Sequence, residues 1–184
     1  MEYGKPQKLP DGRYFLKISG QRHQVNGIVA QDGLASKSIN FKIEDQTVFD
    51  TIDAELLAKA KESKVEWFGK ELSDDTIVNA FQESITDGVL GASLVSVKGQ
   101  VATLAFDRQK NPLALEDVAA GSQCDALFEL AGLWFLKKSF GAVWRVIQAR
   151  VRAAPKAPSF PTQYMFEDEV EEAAAEDDPA DYID

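Results

Sequence analysis

At 184 residues and 45% hydrophobic content the chain has the size and composition of one domain with a continuous core. Its formal charge of −10 is unevenly placed: Lys156 is the last basic residue and ten acids follow it, which leaves residues 1–166 neutral. A single cysteine, Cys124, and a single histidine, His23, exclude an intrachain disulfide framework, a multi-thiolate zinc site and a paired-histidine metal site, so neither metal nor cofactor is expected.

Arg13–Ile18 has the aromatic and aliphatic content of a strand, bounded by Asp11-Gly12 and Gly20. Residues 36–43 alternate, with Ile39, Phe41 and Ile43 on one face and Ser38, Asn40 and Lys42 on the other, which predicts a half-buried strand with a polar, partly basic outer face. Residues 53–63 are helix formers with acids early and lysines late, as the helix dipole favours. Ser73-Asp74-Asp75 caps a second predicted helix, in which Ile77, Val78, Phe81 and Ile85 repeat at helical spacing until Gly88 stops it. Leu94–Val97 and Val101–Phe106, joined by Lys98-Gly99-Gln100, predict a hairpin, and Cys124–Leu136 with Trp144–Val151 predict another around the loop 137–141.

Prolines at 155, 158 and 161 interrupt both helix and central strand. The expected division is therefore a folded domain over 1–153, a proline-rich linker over 154–166 and an acidic tail over 167–184. The tail buries too little apolar surface to offset an ordering cost of about 1–2 kcal/mol per residue, and is read as disordered.

Catalytic signatures are missing from the sequence. There is no Gly-x-Ser-x-Gly, no Walker-type phosphate loop and no Gly-x-Gly-x-x-Gly, and His23 has no histidine or cysteine companion. Asp74-Asp75 is explained by helix capping and Cys124 by burial in a strand as an inert thiol, so no enzyme is expected.

The informative stretch is residues 132–152. Between Glu129 and Glu167 no acid occurs, while Lys137, Lys138, Arg145, Arg150, Arg152 and Lys156 supply six cations among Trp134, Phe135, Phe140 and Trp144. Cations that track phosphates and flat rings on which unpaired bases stack are what a single-stranded nucleic acid requires. Strand alternation places Trp134 opposite in face to Leu133 and Phe135, and sets Trp144 beside Gln148, Arg150 and Arg152, away from Ile147, Ala149 and Val151. Each aromatic ring has two readings, stacking surface or core, and the spacing leaves both open for Trp134, Phe140 and Trp144. The candidate nucleic-acid contacts are Trp134, Lys137, Lys138, Phe140, Trp144, Arg145, Arg150 and Arg152, with Lys42 on the alternating strand.

The run Gly-Leu-Trp-Phe-x-Lys-Lys-Ser-Phe-Gly-x-x-Trp-x-x-x-Gln-x-x-Val over 132–151, followed by a proline-broken linker and an acidic tail, resembles the C-terminal part of single-stranded DNA-binding proteins of tailed phages and large DNA viruses. The resemblance covers residues 124–153 and the overall layout. It implies a mainly β fold, a five-stranded OB-type barrel with one or two short helices, and sequence-independent coating of unpaired DNA in replication, recombination or repair. It also implies a tail that recruits replication proteins. The tail residues expected to do so are Asp177, Asp178, Asp181, Tyr182, Ile183 and Asp184, although the apolar pair Tyr182-Ile183 is not terminal as such tips often are.

The expected partners are single-stranded DNA, replication proteins and a possible second copy of the chain, with no membrane. The expected location is the cytoplasm, that of a host if the protein is viral. Ten negative charges imitate the ligand, so the tail is also expected to compete for the DNA groove. The alternative is an acidic DNA mimic or interaction module in which the tail is the functional surface and the domain a scaffold.

Overall fold

The computed structural model describes residues 1–153, and the expectations for the linker and the tail, including Asp177, Asp178, Asp181, Tyr182, Ile183 and Asp184, lie outside them. Six longer strands carry the architecture: β1 (Tyr14–Ser19), β2 (Arg22–Ala30), β3 (Ser38–Lys42), β4 (Val89–Leu94), β5 (Ser122–Phe135) and β6 (Phe140–Ala153). Three α-helices lie between β3 and β4: α1 (Thr47–Glu62), α2 (Lys64–Phe68) and α3 (Asp74–Ala80). The molecule is mainly β, as expected, with one helix more than expected.

The pairings close on themselves. β5 pairs with β2, β2 with β3, β3 with β4, β4 with β6, and β6 returns to β5. All contacts of this ring are antiparallel except the parallel β4–β6 junction at Trp144↔Ala92 and Arg145↔Ser93. The two 14-residue strands β5 and β6 are long enough to bend and serve more than one neighbour. β5 pairs with β2 through its first half and with β1 through Gly132–Phe135.

Side chains alternate across this ring as pleating requires. Ile39 and Phe41 of β3, Leu90 of β4, Phe128, Leu130 and Leu133 of β5, and Val146 of β6 are buried inside. Helix α1 closes the core with Phe49, Ile52, Leu56 and Ala60, and the Phe49 ring meets Phe128 at 6.0 Å and Trp144 at 5.0 Å, both edge to face. The helix starts six residues before the predicted one; its N-cap Gln46 makes no side-chain cap hydrogen bond, and Asp45 just before it accepts from the Thr47 N–H and hydroxyl.

Ser73 caps α3 by accepting from the Thr76 N–H, as its sequence predicts. The helix does not run on to Gly88. It ends at Ala80, and Ile85–Thr86 and Val89–Leu94 form a hairpin across Asp87-Gly88, both at positive φ (52° and 75°). Asp-Gly is the two-residue hairpin signal, and it overrides the helical spacing of Ile85. Lys98-Gly99 turns a smaller hairpin in the same way, limited to Ser96–Val97 and Gln100–Val101. β2 has no clear sequence signature, since Arg22, Gln24 and Asn26 surround a single buried Val25 in its first half.

Among the described residues no helix is long and apolar enough to cross a membrane.

Candidate nucleic-acid interface

The face of the ring turned away from the core is built by the alternate residues of each strand. On β1 these are Phe15 and Lys17, on β5 Trp134, on β6 Gly141, Val143 and Arg145, on β4 Gly91 and Ser93, and on β3 Ser38, Asn40 and Lys42. Pairing brings Trp134 beside both Phe15 and Gly141, Lys17 beside Gly132, and Arg145 beside Ser93.

A groove of about 420 Å³ opens on this face, lined by Phe15, Trp134, Val143, Gly91, Ser93 and Ser38 together with Tyr14 and, deeper, Ala92, Ala142 and the nearly buried Trp144. Glycines let the rings lie flat. A Cβ on Gly132 would stand 2.6 Å from the Phe15 ring and 2.1 Å from the Leu16 carbonyl oxygen, and one on Gly141 would stand 3.1 Å from the Trp134 ring. No acidic side chain lines the groove. Arg13, at its edge, is bound to Asp11 at 2.6 Å with both partners well exposed, so that pair adds little field. Lys17, Lys42 and Arg145 make no ion pair among the described residues. They lie on the same face as the groove, Arg145 paired with Ser93 and Lys17 and Lys42 farther along their strands.

Of the sequence-predicted residues, the structure brings Trp134, Arg145 and Lys42 onto this face. Lys137 and Lys138 stand exposed in the β5–β6 connection, three and four residues beyond Trp134. The others are elsewhere. Trp144 is 2% exposed, packs on Phe49, and donates from Nε1 to the Ser84 hydroxyl at 2.8 Å, so its ring has no free face. Phe140 is not in a loop: it opens β6, is buried, and stacks on Phe135 at 5.7 Å with 8° between planes.

Arg150 and Arg152 are not free cations. Both bind Asp125, a 4% exposed carboxylate, Arg152 at 2.6 Å, and the Gly27 N–H donates to the same group. Burial would raise the Asp125 carboxyl, but donation from Arg150, Arg152 and Gly27 outweighs it and holds the group below the ordinary carboxylate value. These arginines also lie seven and nine residues beyond Val143 along β6, roughly 23–30 Å at strand rise.

A bulge accounts for the inward turn of Trp144. β6 pairs Val146 with Phe128 and Gln148 with Leu127, which leaves Ile147 without a partner and inverts the alternation. Trp144 and Val146 therefore share the inner face with Ala149, and Arg150 and Arg152 point the opposite way. Phe15, Tyr14 and Lys17 were missed as site residues. Their signal was visible in the Arg13–Ile18 strand, where two aromatic residues sit between cations, but it reads equally as core.

Cys124 is fully buried, and burial pushes its thiol up to about 11, which fits the inert role read from the sequence.

A family profile matches residues 26–168, over three quarters of the chain. The chain belongs to the family of unknown function DUF5871. No curated protein matches it. Solved structures similar to this DUF5871 member include the single-stranded DNA-binding protein from bacteriophage Enc34, at 10% identity and a TM-score of 0.49 over 89% of this chain and 97% of that one. The Enc34 protein in complex with ssDNA aligns at 9% identity and a TM-score of 0.48, covering 85% of this chain and 99% of that one. The single-stranded DNA-binding protein gp2.5 of bacteriophage T7 aligns at 10% and 0.45, over 82% and 100%.

Proposed function

We propose that this DUF5871 member is a sequence-independent single-stranded DNA-binding protein, and that the five-strand ring is an OB-type barrel whose outer face carries the strand. The observation that supports it best is the groove itself: rings of Phe15 and Trp134, backbone and small side chains of Gly91, Ser93 and Ser38, no acid in the lining, and Lys17, Lys42 and Arg145 on the same face. Bases stack on any aromatic ring, so such rings accept every sequence, and cations on the same face neutralise the phosphates. Coating and protecting unpaired DNA in replication, recombination or repair, in a phage or its host, follows from that chemistry, with no catalytic step required. The acidic tail is assigned two roles, competitor for the cationic face when DNA is absent and recruiter of replication proteins when DNA displaces it.

Titration of tryptophan fluorescence with oligo-dT and with a duplex of equal length, at two salt concentrations, tests the reading. Trp134 is the half-buried indole on the face, while Trp67 and Trp144 are buried. Quenching by the single strand alone, lost in Trp134→Phe, is expected. Equal affinity for duplex would overturn stacking as the mode of binding, and an affinity indifferent to salt would remove the phosphate contacts. Removal of residues 160–184 separates the two readings: DNA binding left intact or tighter supports the single-strand reading, whereas loss of activity would favour the interaction-module alternative.

A further inference from the structure

A second groove, of about 800 Å³, lies at the end of the β5–β6 hairpin, between it and α2 and α3. Its floor is apolar and aromatic: Trp67, Phe68, Leu72, Ile77, Phe135 and Phe140. Its rim carries Lys70, Lys137 and Lys138 against the single acid Glu66. Leu136 lines it with 54% of its surface exposed, and Tyr14 with 46%. A floor of rings under a rim of net charge +2 is complementary to an apolar peptide followed by acids. This chain contains one, Tyr164-Met165-Phe166-Glu167-Asp168-Glu169, and the family profile extends through residue 168, covering it almost to its end.

We propose that this groove binds residues 164–169 of a second copy of the chain, the aromatic and methionine side chains entering the floor and the three acids pairing with the lysine rim. Reach favours a second copy over the same one. Phe140 borders the groove, and β6 then carries the chain away for 14 residues, about 43 Å of contour at strand rise. Tyr164 follows Ala153 by eleven residues, and eleven residues span at most about 36–40 Å when fully extended. Because β6 bends, 43 Å is an upper bound on that distance, but a return to its own groove must still reverse the chain within eleven residues that include prolines at 155, 158 and 161. A neighbouring copy imposes no such demand. The inference does not rest on the nucleic-acid reading, because it needs no DNA, although Tyr14 lines both grooves and Lys137 and Lys138 are also candidate phosphate contacts.

Sedimentation equilibrium of the full chain without nucleic acid tests it. Concentration-dependent self-association is expected, weaker at high salt. A Tyr164→Ala/Phe166→Ala double variant should weaken it about tenfold or more, as truncation of interface anchors does. Asn79→Glu, which places a negative charge on the exposed helical wall of the groove, should do the same, and Leu136→Glu provides a second groove variant. All variants should melt near the wild-type temperature. Mixing the Asn79→Glu protein with the double variant should restore association between them, since each supplies the half that the other lacks. A wild-type chain that stays monomeric, or variants that associate as it does, overturns the proposal, as does a mixture that fails to associate. So does an Asn79→Glu protein that self-associates normally but loses oligo-dT binding, which would assign the groove to nucleic acid.

Discussion

The indole of Trp134 lies across Gly141 of the neighbouring strand, its Cζ2 atom 3.1 Å from where a Cβ on that glycine would stand. The Gln82 carbonyl oxygen is 3.0 Å from the same point, so the site has room for a hydrogen and little else. Gly141→Ala is expected to tilt the indole, weaken single-strand binding and cost stability, because the Trp134 ring and the Gln82 backbone must each give by a few tenths of an ångström. Gly132→Ala is expected to be far worse, since the obstacle there is the Leu16 backbone oxygen at 2.1 Å. Thermal melts alongside oligo-dT titrations distinguish the two; similar melting temperatures for both variants would contradict the packing described.

Trp134 and Trp144 should respond in opposite ways. Trp134→Ala and Phe15→Ala are expected to weaken oligo-dT binding by roughly 1–3 kcal/mol each, with the fold retained. Trp144→Ala removes a fully buried ring and the hydrogen bond to Ser84, and should cost about 3–5 kcal/mol of stability. Fluorescence anisotropy with a labelled oligonucleotide and chemical denaturation give both values for each variant.

Salt dependence identifies the phosphate contacts. Each contact on a single strand contributes about 0.7 to the slope of log K against log salt. Lys17→Ala, Lys42→Ala, Arg145→Ala and the pair Lys137→Ala/Lys138→Ala should each lower that slope. Arg150→Ala and Arg152→Ala should leave it nearly unchanged, because their charges are engaged by Asp125.

Asp125 provides a pH signature. Its folded-state pKa lies below the unfolded value of about 3.9, so the folded state holds the proton less tightly. The stability it contributes is present above about pH 4 and is lost as pH falls through the lowered pKa. Asp125→Asn should destabilise the protein at pH 7 by about 1–3 kcal/mol, the cost of losing hydrogen bonds from Arg150, Arg152 and Gly27 to a buried charged acceptor. The difference from wild type should shrink in melts below pH 4. Asp53 has the opposite sign: burial raises its carboxyl despite two hydrogen bonds from Ser84, so its contribution declines as pH rises from the ordinary carboxylate value through the raised one.

Removal of residues 160–184 should raise oligo-dT affinity at low salt, and the gain should fade toward physiological ionic strength, where exposed charges are screened beyond about 8–10 Å. Replacing the acids by amides while keeping Tyr182 and Ile183 should reproduce the gain. An unchanged affinity after truncation at low salt removes tail competition from the account.

Local pattern was enough to read the strand at residues 38–43, the long hairpin that became β5 and β6, the Ser73 cap and the acid-free segment from Leu130 to Phe166, because alternation, capping and charge are properties of neighbours in sequence. Which face each ring takes was decided elsewhere. Alternation continues in phase only until a bulge interrupts it, as the one at Ile147 does between β5 and β6. Likewise nothing near Arg150 in sequence announces Asp125, and nothing near Trp134 announces Phe15, 119 positions away. The candidate interface is a set of cross-strand neighbours, so its chemistry was present in the sequence as residue types while its membership depended on register, which only the packed structure defines.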